Sequence, residues 1–149
     1  MITNSLYLER TFDCSIEELF RWFSKANLIA QWFGPKHLNI GNISVNFQIN
    51  GAYRIELKKE NGDSFYITGI YQEILAPEKI VFNLTYDGLL KPPPDSVVKI
   101  LLEQVTPSST KLTFVQKFEI LPPDMENRTK AWEFMFSKLN PLLKSEPRP

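Results

Sequence analysis

The chain has 149 residues, 17 basic and 17 acidic side chains, no net charge and a hydrophobic fraction of 43%. That length predicts one domain spanning 1–149, with an ordered core over about residues 4–144, and the apolar content excludes wholesale disorder. The charge balance argues against the basic footprint of a nucleic-acid binder. The first predicted element is a strand, in which Leu6, Leu8 and Phe12 alternate with Tyr7, Glu9 and Thr11. Ser15-Ile16-Glu17-Glu18 forms a capping box: the Ser15 hydroxyl can accept from the third helical N–H while Glu18 reaches back to the cap. Ile16, Leu19, Phe20 and Phe23 then recur at helical spacing and give that helix one apolar face. A second short helix is expected over Asn27 to Trp32, ending before Gly34-Pro35.

From Leu38 to Ile120 the period changes to two. Ile43, Val45 and Phe47 alternate with polar residues, and Asn50-Gly51 turns the chain into Tyr53, Ile55 and Leu57. Asn61-Gly62 is a second hairpin signal before a strand over Phe65 to Ile74. Ala76-Pro77-Glu78 leads into Ile80, Phe82, Leu84 and Tyr86. The triple proline of Pro92-Pro93-Pro94 cannot sit in a central strand, so Gly88 to Asp95 is a loop. Val98 to Val105 and the run Leu112, Phe114, Gln116, Phe118 complete an antiparallel meander. Pro122-Pro123-Asp124 opens the longest helix, from about Met125, with Trp132, Met135, Phe136 and Leu139 as its buried stripe. Pro141 is expected to end or kink it near Asn140, and Ser145 to Pro149 reads as a frayed tail. Phe134 falls on the opposite side of this helix from Trp132 and should be exposed.

The order of strand, two short helices, meander and long final helix predicts an α+β helix-grip fold. In it a curved antiparallel sheet of six or seven strands wraps the C-terminal helix. The motifs Glu9-Arg10-Thr11-Phe12, Gln31-Trp32-Phe33-Gly34-Pro35 and Asn50-Gly51-Ala52-Tyr53-Arg54 carry a resemblance. So do Gly69-Ile70-Tyr71-Gln72-Glu73-Ile74, Pro77-Glu78-Lys79-Ile80-Val81-Phe82 and Ala131-Trp132. In that order they resemble single-domain relatives of the heat shock protein 90 ATPase activator's C-terminal domain, within the START-like (SRPBCC) superfamily. Asn46 stands where that family usually has Asp, and Gly51 replaces its double glycine.

A sheet gripping one helix cannot close its core completely, and the resemblance implies an apolar ligand in the gap. Candidate wall residues are Trp32, Tyr53, Ile55, Phe82 and Leu84, with Leu102, Phe114, Trp132 and Phe136. The alternative is that these side chains simply fill the space. Gln116 shares the inward parity of Phe114 and Phe118. An unpaired buried amide costs about 1–3 kcal/mol, so a ligand, a water or a side chain such as Tyr53 or Glu73 should pair with it. Glu73 shares the parity of Phe65, Ile67, Gly69 and Tyr71, which would bury it as an acid of raised pKa. Tyr66, Thr68, Ile70 and Ile74 make a comparable inner face, which would leave Glu73 in solvent.

His37 lies in a turn with no nucleophile or orienting acid beside it and reads as a surface residue. Cys14, the only cysteine, permits no intrachain disulfide and reads as an apolar side chain packing on Leu19. With one His and one Cys, neither a metal site nor a cofactor is expected. Met1-Ile2-Thr3-Asn4 lacks the layout of a signal peptide and no apolar run approaches the ~20 residues of a membrane span, so a cytoplasmic protein is expected. Three functions are consistent with these residues. One is a non-catalytic carrier, sensor or stress-related binder of a small apolar or aromatic molecule. The second is an enzyme of the polyketide cyclase type. The third is a chaperone-associated interaction domain, with the Phe134 face as a chaperone or homodimer contact.

Overall fold

A computed structural model describes residues 4–145. The tail expected from Ser145 lies, past Ser145 itself, outside the described residues. The chain runs through β1 (Ser5–Phe12), α1 (Ile16–Arg21) and α2 (Ala26–Trp32). Then come β2 (Asn39–Val45), β3 (Ala52–Lys58), β4 (Ser64–Leu75), β5 (Lys79–Asp87), β6 (Ser96–Thr106) and β7 (Ser109–Phe118). Two helices close it, α3 (Met125–Ser137) and α4 (Leu139–Ser145). The seven strands form one antiparallel sheet in the order β1-β7-β6-β5-β4-β3-β2. This is the helix-grip architecture that the sequence predicts. The core fills the space between one face of this sheet and the helices.

The local chemistry explains most boundaries. At α1 the Ser15 hydroxyl accepts from the Glu18 N–H at 3.2 Å, and two acidic residues in the first turn complement the helix dipole. β2 begins four residues before the alternation at Ile43, because a bulge lies between Ile40 and Ile43. Both isoleucines pack on the core although three positions separate them, which strict alternation would forbid. Gly51 is required by a close approach, since a Cβ there would overlap the Asn46 carbonyl.

The final helix departs from expectation. Its stripe of Trp132, Met135 and Phe136 is buried and continues through Leu139 and Leu143. However, Pro141 neither ends the helix nor kinks it at Asn140. The interruption falls earlier, at Lys138, and Pro141 sits in the first turn of α4. A proline ring clashes with the carbonyl four residues back, here that of Ser137, and needs no N–H partner in a first turn. The break therefore lies one turn upstream of the proline.

Candidate functional site

The groove between sheet and helices has a packed part and a part that leaves space. In the packed part, Gln116 on β7 is 1% exposed. Its Nε2 donates to the Ser96 hydroxyl at 2.8 Å, and its Oε1 accepts from Trp132 Nε1 at 3.0 Å. The partners are thus Ser96 and Trp132, not Tyr53 or Glu73. The amide ties β6, β7 and α3 together. Phe114 packs against Trp132 at 4.4 Å between ring centroids and against Phe136 at 5.5 Å. Phe114, Gln116, Phe136 and Leu102 are all buried, and none lines the hollow described next; Leu102 borders instead a surface cleft with Ile16 and Pro77.

The remaining six expected wall residues do come together. Trp32, Tyr53, Ile55, Phe82, Leu84 and Trp132 border an apolar hollow of about 40 Å³. At roughly 10–15 Å³ per water-sized group it holds about three such groups. Sequence reasoning missed the rest of the wall. Phe23, Ile29 and Phe33 come from the helical side, and Ile67, Tyr71, Ile80 and Ile100 from the sheet. Helical spacing marked Phe23 as apolar, and strand alternation marked Ile80, but nothing local sets them beside one gap. Phe33 follows the last residue of α2 with extended backbone, so no helical period describes where it points.

Two phenols line this hollow. The Tyr53 hydroxyl donates to the Asn83 carbonyl at 2.8 Å. It reaches that atom by lying over Gly69, its partner across the β3–β4 ladder, where any Cβ would collide with the Tyr53 ring and with Asn83 O. The β4–β5 ladder skips from Thr68–Thr85 to Tyr71–Phe82. Inside that gap the Asn83 side chain accepts from the Ile70 N–H at 2.6 Å, so side chains replace ladder bonds. Tyr71 packs against Phe47, Tyr53 and Phe82, and its hydroxyl has no hydrogen-bond partner among the described residues. Burial pushes the pKa of both phenols up, strongly for Tyr53, so both stay protonated near neutral pH.

The parity of Glu73 is resolved by a bulge. The β4–β5 register shifts between Tyr71 and Glu73, so Phe65, Ile67 and Tyr71 face the core before it and Ile74 faces the core after it. Each of the two candidate faces is therefore right for part of the strand. Glu73 forms an ion pair with Lys79 at 3.0 Å, and its side chain is 47% exposed. His37 is exposed, has φ of 72° and lies 3.3 Å from a Glu60 carboxylate oxygen. Cys14 is fully buried. No three His, Cys, Asp or Glu side chains gather into a metal-binding group among the described residues. No described helix is long and apolar enough to cross a membrane.

With this geometry in place, comparisons with known proteins are informative. A family model described as activator of Hsp90 ATPase homolog 1-like protein matches residues 13–144. Protein CV1439 from Chromobacterium violaceum is 23% identical, with a TM-score of 0.85 over 96% of this chain and 99% of that one. The AHSA1 protein from Silicibacter pomeroyi is 22% identical, with a TM-score of 0.76 over 94% and 97% of the two chains. Protein Mll3558 from Rhizobium loti is 19% identical, with a TM-score of 0.80 over 94% and 96%. At such identities these structures establish a shared fold. No curated protein matches the sequence at a significant level.

Proposed function

The chain belongs to the activator of Hsp90 ATPase homolog 1-like family, within the START-like superfamily, and from that premise we propose that it binds one small apolar or aromatic molecule between its sheet and α3 without transforming it. In this reading residues 1–149 form one START-like domain, acting in the cytoplasm as a carrier or sensor. The observation that carries it is the hollow bordered by Trp32, Tyr53, Tyr71, Phe82 and Trp132. As it stands the space is smaller than a ligand. Phe82 and Phe47, which both pack on Tyr71, are only partly buried, however, so their rings can swing out at modest cost. The ionisable side chains bordering the hollow are phenols held neutral by burial, which donate hydrogen bonds and are poor proton acceptors near pH 7. That chemistry supports binding over the polyketide cyclase alternative.

A hydrophobic fluorescent probe titrated into the protein should bind saturably. A small aromatic compound should displace it. Native mass spectrometry of protein purified from its own host should show a co-purifying molecule. Absence of saturable binding across a panel of small aromatic and lipid-like compounds would remove this reading. The family description also favours a second reading, a chaperone-associated interaction surface. Phe134, 37% exposed on the outer side of α3 with Lys138 Nζ 4.9 Å from its ring, is the residue to test. Phe134→Ser should then lower stimulation of an Hsp90-type ATPase, and an unchanged rate would remove it.

A further inference from the structure

A second space lies on the other side of Ile67. Ile67 borders both the hollow and a cleft of about 180 Å³ between β3–β5 and the start of α3. The floor of this cleft is apolar, made by Leu57, Phe65 and Ile67, while Tyr86, Asp124, Asn127 and Arg128 make its polar side. Arg128 is the unusual residue. Its side chain is only 15% exposed, and its position is fixed from three directions. Nε donates to Asp124 Oδ1 at 2.9 Å, and Nη1 donates to the Tyr86 hydroxyl at 3.2 Å. The guanidinium carbon lies 5.7 Å from the Tyr86 ring centroid and 5.8 Å from that of Phe118. These contacts use two of the five N–H donors of a guanidinium, and Nη2 has no partner among the described residues.

A mostly buried cation with spare donors, facing a cleft that only the Ile67 side chain need yield to join to an aromatic hollow, is suited to a molecule with an apolar body and an anionic end. We infer that the cleft is a carboxylate subsite: the bound molecule is a small aryl carboxylic acid whose rings enter the hollow while its carboxylate pairs with Arg128. This rests on the binding reading above and specifies the ligand's polar end. Gln116 does not serve that purpose, since its amide bonds Ser96 and Trp132 and it lines neither the hollow nor the cleft. Asp124 keeps one edge of the guanidinium and shares its charge, so the carboxylate meets the Nη edge. The preference over a neutral analogue is accordingly moderate, about tenfold.

The test is isothermal titration calorimetry with 2-naphthylacetate and its neutral isostere 2-naphthylacetamide, against wild type, Arg128→Gln and Arg128→Lys. The acid should bind wild type about tenfold more tightly than the amide. In Arg128→Gln the acid should fall to the level of the amide while amide affinity holds, which also shows that the variant is folded. Arg128→Lys, which keeps the charge without the planar fork, should retain part of the preference. Equal binding of acid and amide to wild type would overturn the carboxylate subsite and leave the binding reading standing. A tenfold preference that survives in Arg128→Gln would overturn it as well. Failure of both compounds to bind wild type would remove the subsite, and the probe titration above would decide the parent reading separately.

Discussion

The part of the groove floored by β6, β7 and β1 and the part floored by β3, β4 and β5 use the same kinds of residue, yet the hollow lies over the second and is bordered from the first by Ile100. Both are rich in aromatic rings, and both bury a polar side chain among them. In the first, the Gln116 amide is paired on both sides, and its partners belong to a neighbouring strand and to α3. In the second, the Tyr53 hydroxyl pairs with a backbone carbonyl of its own sheet, and the Tyr71 hydroxyl has no hydrogen-bond partner among the described residues. An amide bonded through both its nitrogen and its oxygen, bridging helix and sheet, holds α3 in one position, and rings then close around it. Phenols that bond only within the sheet, or not at all, leave the helix-facing surface to ring packing alone. Ring packing without directional bonds tolerates a gap. The hollow thus occurs where its own phenols give α3 no tether, since the Arg128–Tyr86 bond between α3 and β5 lies at the neighbouring cleft, and the β4–β5 ladder is interrupted beside it.

Trp132 belongs to both parts, since its indole N–H bonds Gln116 while its ring borders the hollow. Trp132→Ala should therefore have the largest effect, about 3–5 kcal/mol of lost stability by urea denaturation, together with loss of probe binding. A variant of near wild-type stability would show that the packed part does not depend on this tether. Gln116→Leu comes next. It leaves the Trp132 N–H and the Ser96 hydroxyl without their partner and should cost about 1–3 kcal/mol. Its relative affinity for acid and amide ligands should stay unchanged. A selective loss of polar-ended ligands in Gln116→Leu would move the binding site into the packed part and undo the contrast.

Much of this fold is legible in the sequence because its signals are local. The Ser15 cap, the Asn50-Gly51 turn, the triple proline and the stripe from Trp132 each act within a few residues, and each appears where expected. The readings that stay open or fail are those where one residue shifts the frame. The bulge after Tyr71 moves Glu73 outward and Ile74 inward, so neither parity of β4 is right along its whole length. Pro141 acts through the carbonyl of Ser137, one turn away, which displaces the break to Lys138. For the site, parity correctly turned Gln116, Phe114 and Phe82 inward. It carries no information on which inward residues touch. Whether Gln116 meets a ligand or Trp132 depends on how far α3 lies along the sheet, a distance no periodicity records. Arg128 was missed because a charged residue in the first turn of a helix ordinarily faces water. Its burial depends on Tyr86 and Phe118, at least ten residues earlier in the chain.

The finest discrimination comes from the two phenols. At pH 7, Tyr53→Phe removes a buried bond to Asn83 O and should cost about 1 kcal/mol, whereas Tyr71→Phe removes a hydroxyl with no described partner and should change stability by less than about 0.5 kcal/mol. Raising the pH should reverse the ranking of wild type and variants. Burial raises both pKa values in the folded protein above the ordinary value of 10.0, so the unfolded chain gives up these protons first. Stability contributed by the neutral phenols is therefore complete below about pH 10 and declines as pH rises beyond it. Each Phe variant lacks one such group and should lose stability less steeply there. Urea denaturation at pH 7 and pH 11 reads both effects in one series. If Tyr71→Phe costs as much as Tyr53→Phe at pH 7, the Tyr71 hydroxyl has a structural partner, such as an ordered water, and the second part of the groove is tethered too. If Tyr71→Phe is silent at pH 7 and flattens only the alkaline decline, its hydroxyl is a buried donor held free for whatever enters the hollow.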